Sequence, residues 1–239
     1  MTRARAWLLA ALLLLGAAPA LAATTVDIGY LELTDDARYD DRWAYAGLLL
    51  APGGRPFAGA ETGLEEININ GGMVGFNFSL DRAEAEDAAG LQAAIEKLRN
   101  EKNVRLFLLD LPDQLTAELG AATKGKDILL FNISATANAL RGKACEPQLL
   151  HVIPSLAMTT DAMAQFLTAR KWRDVLVLQG PLPADAELVT SFERSARRFG
   201  LKLVDKRPFV VSEDPRNRDQ NNLALLTTGV DYDVVYVVD

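Results

Sequence analysis

Between Lys126 and Phe209, short apolar runs bounded by Gly, Pro and Asp alternate with longer segments of helical period. In order they read KDILLFNISATANAL, LLHVIPSLAMTTDAMAQFLTARKW, RDVLVLQG and ADAELVTSFERSARRFGLKLVDKRPF. Runs this short and this uniformly apolar suit strands buried on both faces, and the segments between them suit helices that cover those faces. Such alternation builds parallel βα units. Up to Ser155 the pattern reads as the end of one α/β unit, and from Leu156 as the start of another. Two lobes joined through a crossing strand enclose a cleft, so the expected architecture is α/β and two-lobed, with doubly wound parallel sheets.

The upstream half fits the same scheme. Val26–Leu33 reads as a first strand, followed by the acidic and aromatic loop TDDARYDDRWAYAG. A helix is expected from Arg55 to Asn70, stopped at Asn70-Gly71-Gly72 because Gly accepts a left-handed C-cap. Val74–Leu80 alternates like a strand. Asp87–Asn100 places Leu91, Ala94, Ile95 and Leu98 on one face of a helix. Arg105–Leu109 is a buried strand closing on Asp110-Leu111-Pro112, Asp113–Ala122 a short helix, and Ile128–Ile133 a further strand. Val234–Val238 is the last apolar run.

Bulk composition narrows the functional classes. The 239 residues are 49% hydrophobic and 24% charged, an ordinary globular balance. With 32 acidic against 25 basic residues the net charge is −7, which gives no support to a nucleic-acid partner. One Cys, Cys145, permits no internal disulfide, and one His, His151, disfavours a histidine metal site or a Ser-His-Asp triad. Six residues separate this pair across Pro147, which gives no reason for contact, and Cys145 is expected as plain buried packing. The chain has no Walker loop, GxGxxG, GxSxG or HExxH. At the N-terminus, Arg3 and Arg5 precede the apolar run Ala6–Leu15 and the small-x-small site Ala20-Leu21-Ala22, the pattern of a cleaved export signal. The expected divisions are therefore a signal peptide at 1–22, a first lobe at 23–154 and a second at 155–239. Export to a bacterial periplasm is the expected location.

Several of these segments carry a family resemblance. EEININGGMVGFNFSLD is similar to the first helix, its stop and the second strand of type I periplasmic binding proteins, the leucine/isoleucine/valine-binding group. ILLFNISATANAL resembles that family's strand and Ser/Ala/Thr ligand loop, and HVIPSLAMTTDAMAQFL resembles its crossing into the second lobe. KWRDVLVLQG and SFERSARRFGLKLV resemble the first strand and second helix of that lobe. The opening IGYLEL, the DDARYDD cluster, YAGLLL and DYDVVYVVD are similar to a subgroup of ABC-transporter substrate-binding proteins associated with PQQ-dependent alcohol dehydrogenases. The resemblance implies a non-catalytic protein without a cofactor, taking a small-molecule solute to a membrane ABC permease. It also implies that the second lobe is cut short, and hence that the chain alone is poorly soluble.

In open parallel sheets a ligand sits beyond the carboxyl ends of the strands. That rule selects Thr34, Asp110, Ser134-Ala135-Thr136, Gln179 and Asp239 as ligand-binding residues. The loop of Ser134, Ala135 and Thr136 matches the family's carboxylate-holding loop, though its hydroxyls suit helix capping equally well. Asp110 departs from the family pattern, and a carboxylate there would repel an amino acid's carboxylate and suit a cation, an amine or a sugar hydroxyl. Gln179-Gly180-Pro181-Leu182-Pro183 also departs from it. Glu32 with Asp35, Asp36, Asp40 and Asp41 supplies the oxygen ligands a hard cation prefers, so a Ca²⁺ or lanthanide carrier is one alternative. Arg38 and Arg42, interleaved, would instead neutralise those acids as surface pairs. A sensory domain of the same fold is the other alternative.

Overall fold

The computed structural model describes residues 23–40, 42–43, 49–50, 54–210 and 215–238. Strand β1 (Thr24–Leu33) is followed by a 3₁₀ turn at Ala37–Tyr39 and the short antiparallel pair β2 (Arg42–Trp43) and β3 (Leu49–Leu50). Then come α1 (Phe57–Met73), β4 (Phe76–Ala85), α2 (Ala88–Lys102), β5 (Leu106–Asp110), α3 (Asp113–Ala122), β6 (Leu129–Asn132) and β7 (Leu149–His151). The remainder is α4 (Leu156–Arg170), β8 (Asp174–Gln179), α5 (Pro183–Phe199), β9 (Lys202–Pro208), the one-turn helices α6 (Arg218–Asn221) and α7 (Leu223–Leu226), and β10 (Val234–Val238).

Two parallel sheets result, of order β4-β1-β5-β6-β7 and β10-β8-β9. In each, the first strand lies inside, the chain crosses to one flank, then returns to the other. That reversal is a topological switch point, between β1 and β5 in one sheet and between β8 and β10 in the other. The register sets Glu32 beside Asp110 and Leu109 beside Asn132, so three carboxyl ends of the first sheet finish level with one another. The α/β two-sheet arrangement agrees with the fold class read from the sequence.

Alternation along the strands decides what faces where. Leu31, Leu33, Phe107, Leu109 and Leu130 join Leu91 and Ile95 of α2 and Leu119 of α3 in the first core. The intervening Tyr30, Glu32 and Asp110 point to the opposite face, and all three are fully buried. In the second sheet, Val175 and Val177 pack with Phe192 and Ala196 of α5 and Ala164 of α4, while Leu176 and Leu178 face Leu226 of α7. Where α4 meets α5, Thr160 Oγ1 lies 3.1 Å from Ser191 Oγ and 2.9 Å from Ser195 Oγ. Small hydroxyl side chains let the two helices approach closely while satisfying one another.

One helix boundary differs from expectation. α1 runs through Gly71 and Gly72 to Met73 rather than stopping at Asn70. A Cβ on Gly71 would lie 3.0 Å from the Phe76 carbonyl oxygen and 3.2 Å from the Phe78 ring. Gly71 therefore serves close helix–strand packing, and the reversal falls on Gly75, at φ +80°. Asn68 locks the same contact by donating to the Phe78 carbonyl at 2.9 Å and accepting from its amide at 2.7 Å. The other helices begin and end near where the sequence puts them. Asp87 caps α2 by accepting from the Gly90 amide, and Ser155 caps α4 by accepting from the Met158 amide.

Candidate functional site

The carboxyl ends of β1, β5 and β6 carry a compact ionic cluster. Asp110, the last residue of β5, has no exposed surface. Its Oδ1 accepts from Tyr39 Oη at 2.7 Å and from Arg38 Nη2 at 3.1 Å, and its Oδ2 lies 3.4 Å from Tyr30 Oη. Arg38 also donates through Nε and Nη2 to Asp36, and through Nη1 to Ser134 Oγ at 2.9 Å. One guanidinium thus ties together the loop after β1, the end of β5 and the start of the loop after β6. Fork geometry explains why arginine does this work, since its five donors point in fixed directions within a plane.

A second arginine closes the end of β1. Arg55 Nη1 donates to Glu32 Oε2 at 3.1 Å and to the Leu33 carbonyl at 2.5 Å, and Nη2 donates to the Thr34 carbonyl at 3.1 Å. Glu32 takes Arg82 as its other partner. The guanidinium carbons of Arg38 and Arg55 each lie 5.3 Å from the centre of the Tyr39 ring, within cation–π range.

The titration behaviour follows from this packing. Burial, reinforced by the Asp110 charge and hydrogen bond, pushes the Tyr30 and Tyr39 phenols well above their ordinary range, so both stay protonated donors. Burial alone would raise Asp36, but the Arg38 side chain and amide outweigh it and hold the carboxyl below its usual range. His151, at the end of β7, is lowered by burial and by the nearby Arg141 charge. Its Nδ1 lies 3.0 Å from Asn132 Nδ2. Asn132 Oδ1 accepts from the Ser134 and Ala135 amides and its Nδ2 donates to the Ala135 carbonyl, which fixes the shape of the following loop.

That loop also reaches the second sheet's helices. The Leu156 amide donates to the Thr136 carbonyl at 2.9 Å, and the Ala157 amide to Asn138 Oδ1 at 2.7 Å. Asn138 Nδ2 lies 3.5 Å from Ser191 Oγ on α5. The residues chosen from the sequence are therefore distributed as follows. Asp110 and Ser134 share Arg38, the Thr34 carbonyl is held by Arg55 while its side chain is exposed, and Ala135 and Thr136 sit on the loop against α4. Gln179 lies elsewhere, at the end of β8, in a cavity of about 370 Å³ lined by Gln179–Pro181 and Lys206–Val210 and by no first-sheet residue. Asp239 lies outside the described residues.

The acidic loop differs from the metal reading. Among the described residues no group of three or more His, Cys, Asp or Glu is arranged to hold a metal ion. Glu32 and Asp36 are turned into the protein and taken by arginines, Asp35 and Asp40 are exposed, and Asp41 lies outside the described residues. The expectation of a bare carboxylate at Asp110 also needs correction, because its charge is already met from within the chain. Cys145 is exposed rather than packed inside. Arg55, Tyr30 and Tyr39 were missed as site residues. The available signal was the strict alternation of Tyr30 and Glu32 against Leu31 and Leu33, which sends a phenol and an acid to one buried face.

Comparison with known proteins follows the same lines. A family model described as periplasmic binding protein matches residues 49–231. No match is found among curated proteins. Among solved structures, an ABC transporter substrate-binding protein from Desulfitobacterium hafniense, also solved in complex with Leu, superposes with a TM-score of 0.62 at 18% identity, over 89% of this chain and 58% of that one. A solute-binding protein of an ABC transporter from R. palustris, in complex with benzoate, gives 0.58 at 16% identity over 90% and 55%. A branched-chain amino-acid transporter substrate-binding protein from Streptococcus pneumoniae, in complex with isoleucine, gives 0.57 at 17% identity over 90% and 57%. The chain thus spans a little over half the length of the solved structures it matches.

Proposed function

The chain belongs to the periplasmic binding protein family, and from that premise we propose that it captures a small solute outside the cytoplasm and delivers it to a membrane ABC permease. The observation that carries this reading is the paired topology: each sheet has its own switch point, and the loop after β6, on the same carboxyl edge as the first of them, is hydrogen-bonded to the helix that leads into the other sheet. A solute that touches both strand ends only when they approach shifts the balance between open and closed forms by its differential affinity. In this reading Thr34, Ser134, Ala135, Thr136, Gln179 and Asp239 line the solute, Asp110 acts behind them through Arg38, and the stretch Ile153-Pro154-Ser155 is the hinge. Residues 1–22 serve as an export signal removed near Ala22, with lobes at 23–154 and 155–239. The likeness of IGYLEL, DDARYDD, YAGLLL and DYDVVYVVD to the PQQ-linked subgroup supports a solute tied to periplasmic alcohol oxidation, such as an alcohol or its acid product.

Native mass spectrometry of the protein purified from an exporting host, before and after denaturation, tests the core of this proposal. A stoichiometric small molecule released on unfolding is the expected result. Its absence, together with no thermal shift across a panel of alcohols, acids and amino acids, removes the solute-capture reading.

A further inference from the structure

Asn132 and His151 meet where β6 and β7 end, and the backbone decides how. Asn132 Oδ1 accepts from the Ser134 amide at 3.2 Å and from the Ala135 amide at 2.8 Å, so the other arm of the side chain is the amino group. That group has two hydrogens and two acceptors, the Ala135 carbonyl at 2.7 Å and His151 Nδ1 at 3.0 Å. Nδ1 therefore presents its lone pair, and the neutral ring carries its proton on Nε2. Nε2 is enclosed, and the Leu140 carbonyl beside the ring makes no hydrogen bond of ordinary geometry with it. Among the described residues the charge that acts on the ring is the Arg141 guanidinium. Arg141 Nη2 donates to the Ile153 carbonyl, and its Nη1 is buried with no hydrogen-bond partner among the described residues.

We propose that His151 and Asn132 form an acid-released latch: the neutral imidazole holds the loop after β6 in the shape that carries the start of α4, and the protonated one lets it go. A charged ring bears hydrogen on both nitrogens, so Nδ1 turns from acceptor to donor and meets the Asn132 amino group donor to donor. It also sets a second positive charge in a half-buried place already occupied by Arg141. Asn132 cannot answer by flipping. Its oxygen would leave the Ser134 and Ala135 amides and face the Ala135 carbonyl instead. The disturbance reaches α4 directly, because the Thr136 carbonyl accepts from the Leu156 amide and Asn138 Oδ1 from the Ala157 amide. Arg141, repelled by the ring, loosens its grip on Ile153 and so frees the same crossing from its other side. Burial and the Arg141 charge both favour the neutral ring, so release falls below about pH 6.5. Other titratable groups also reach the loop: Asp113 accepts from the Ala137 amide, and Arg38, bonded to Asp36 and Asp110, donates to Ser134. The latch is a property of the chain itself and does not depend on the solute-capture reading.

Nuclear magnetic resonance on the intact protein tests it, since one histidine gives one ring to follow. Long-range proton–nitrogen spectra at about pH 8 should show the Nε2–H tautomer, and the ring should titrate with a midpoint below about 6.5. The Ser134 and Ala135 amide signals should move with that same midpoint. Hydrogen exchange at the Ala135, Leu156 and Ala157 amides, corrected for the intrinsic rate at each pH, should lose at least about tenfold in protection between about pH 7.5 and pH 5. His151→Gln, whose side-chain carbonyl accepts from Asn132 at any pH, should keep its protection across that range. A ring with its proton on Nδ1, or loop amides that ignore the ring's midpoint, overturns the latch. So does an equal loss of protection in His151→Gln, which would move the effect to Asp113 or the Arg38 cluster. Should that variant fail to fold, the tautomer and the shared midpoint in the unaltered protein decide the matter.

Discussion

The two sheets end differently although they are wound alike. The first ends in buried salt bridges that cross-link three strand ends through Arg38 and Arg55. The second ends in an open cavity between β8 and β9, where Gly180 donates to the Val238 carbonyl and Phe209 to the Gln179 carbonyl. There Arg207, a fifth of its side chain exposed, bonds the half-buried Asp205 and the Leu226 and Thr228 carbonyls. The same topology therefore presents a rigid charged end in one sheet and a more yielding apolar and backbone surface in the other. In the solute-capture reading, a preorganised charged end lowers the cost of ordering the solute.

The largest test of this contrast is whether the sheets are separate cooperative units. Phe107 and Phe192 are both fully buried, one in each core. Phe107→Ala and Phe192→Ala should each cost about 3–5 kcal/mol. If the sheets open independently, hydrogen exchange will lose protection only in the sheet that carries the substitution. Loss of protection throughout in both variants would merge the two regions into one unit. Next in size is the charged end itself. Arg38→Met should cost up to about 3 kcal/mol, the low end for breaking a buried pair, because a third of the Arg38 side chain stays in solvent. Arg207→Met should cost much less, and equal losses by urea denaturation would erase the distinction between the two ends.

Much of this architecture is legible from local pattern. Strand and helix order follows from apolar runs and helical period, and the strand ends follow from the Asp, Pro and Gly that close them. The Ser134–Thr136 loop was identifiable for the same reason, since small hydroxyl residues follow an apolar strand. What local pattern does not carry is partnership at a distance. Arg38 reaches Asp110 across 72 residues and Ser134 across 96, and nothing in the spacing of DDARYDD says that its arginine turns inward. Asp110 therefore reads as a free acid in the sequence and proves to be a neutralised one in the fold. The Asn70-Gly71-Gly72 stop fails for a related reason. Gly71 answers to the Phe76 carbonyl and the Phe78 ring, which are tertiary neighbours, rather than to the helix end. Exposed apolar side chains occur beside both sheets. Ile69, Met73 and Val74 are exposed on the first, beside its edge strand β4, while Met158 and Phe166 are exposed on α4.

Smaller effects sharpen the comparison at the helix starts. Asp87→Ala on α2 and Ser155→Ala on α4 each remove one cap and should each cost about 1 kcal/mol. Ser155→Ala should in addition weaken solute binding if the α4 start is the hinge, whereas Asp87→Ala should leave binding alone. The smallest effect is in pH. His151 is the only histidine, and its folded value lies below 6.5, so the unfolded chain takes its proton first. Its contribution is full above about pH 6.5 and declines as pH falls toward the folded value. Asp36, lowered by Arg38, contributes fully above about pH 4 and is lost as pH falls through its folded value. His151→Gln should flatten the melting temperature between pH 7.5 and 5.5, and an unchanged slope would remove His151 from the account.

The short span from Asn132 to Asn138 holds two jobs at once. Its first residues are shaped by Asn132 and touched by Arg38, and its last ones carry the start of α4 through Thr136 and Asn138. No flexible spacer separates the place where a guest would press from the place where the other half is suspended. In the solute-capture reading, a tilt of that half would tug on the guest's own cradle, so grip and swing would be geared to each other by these few hydrogen bonds.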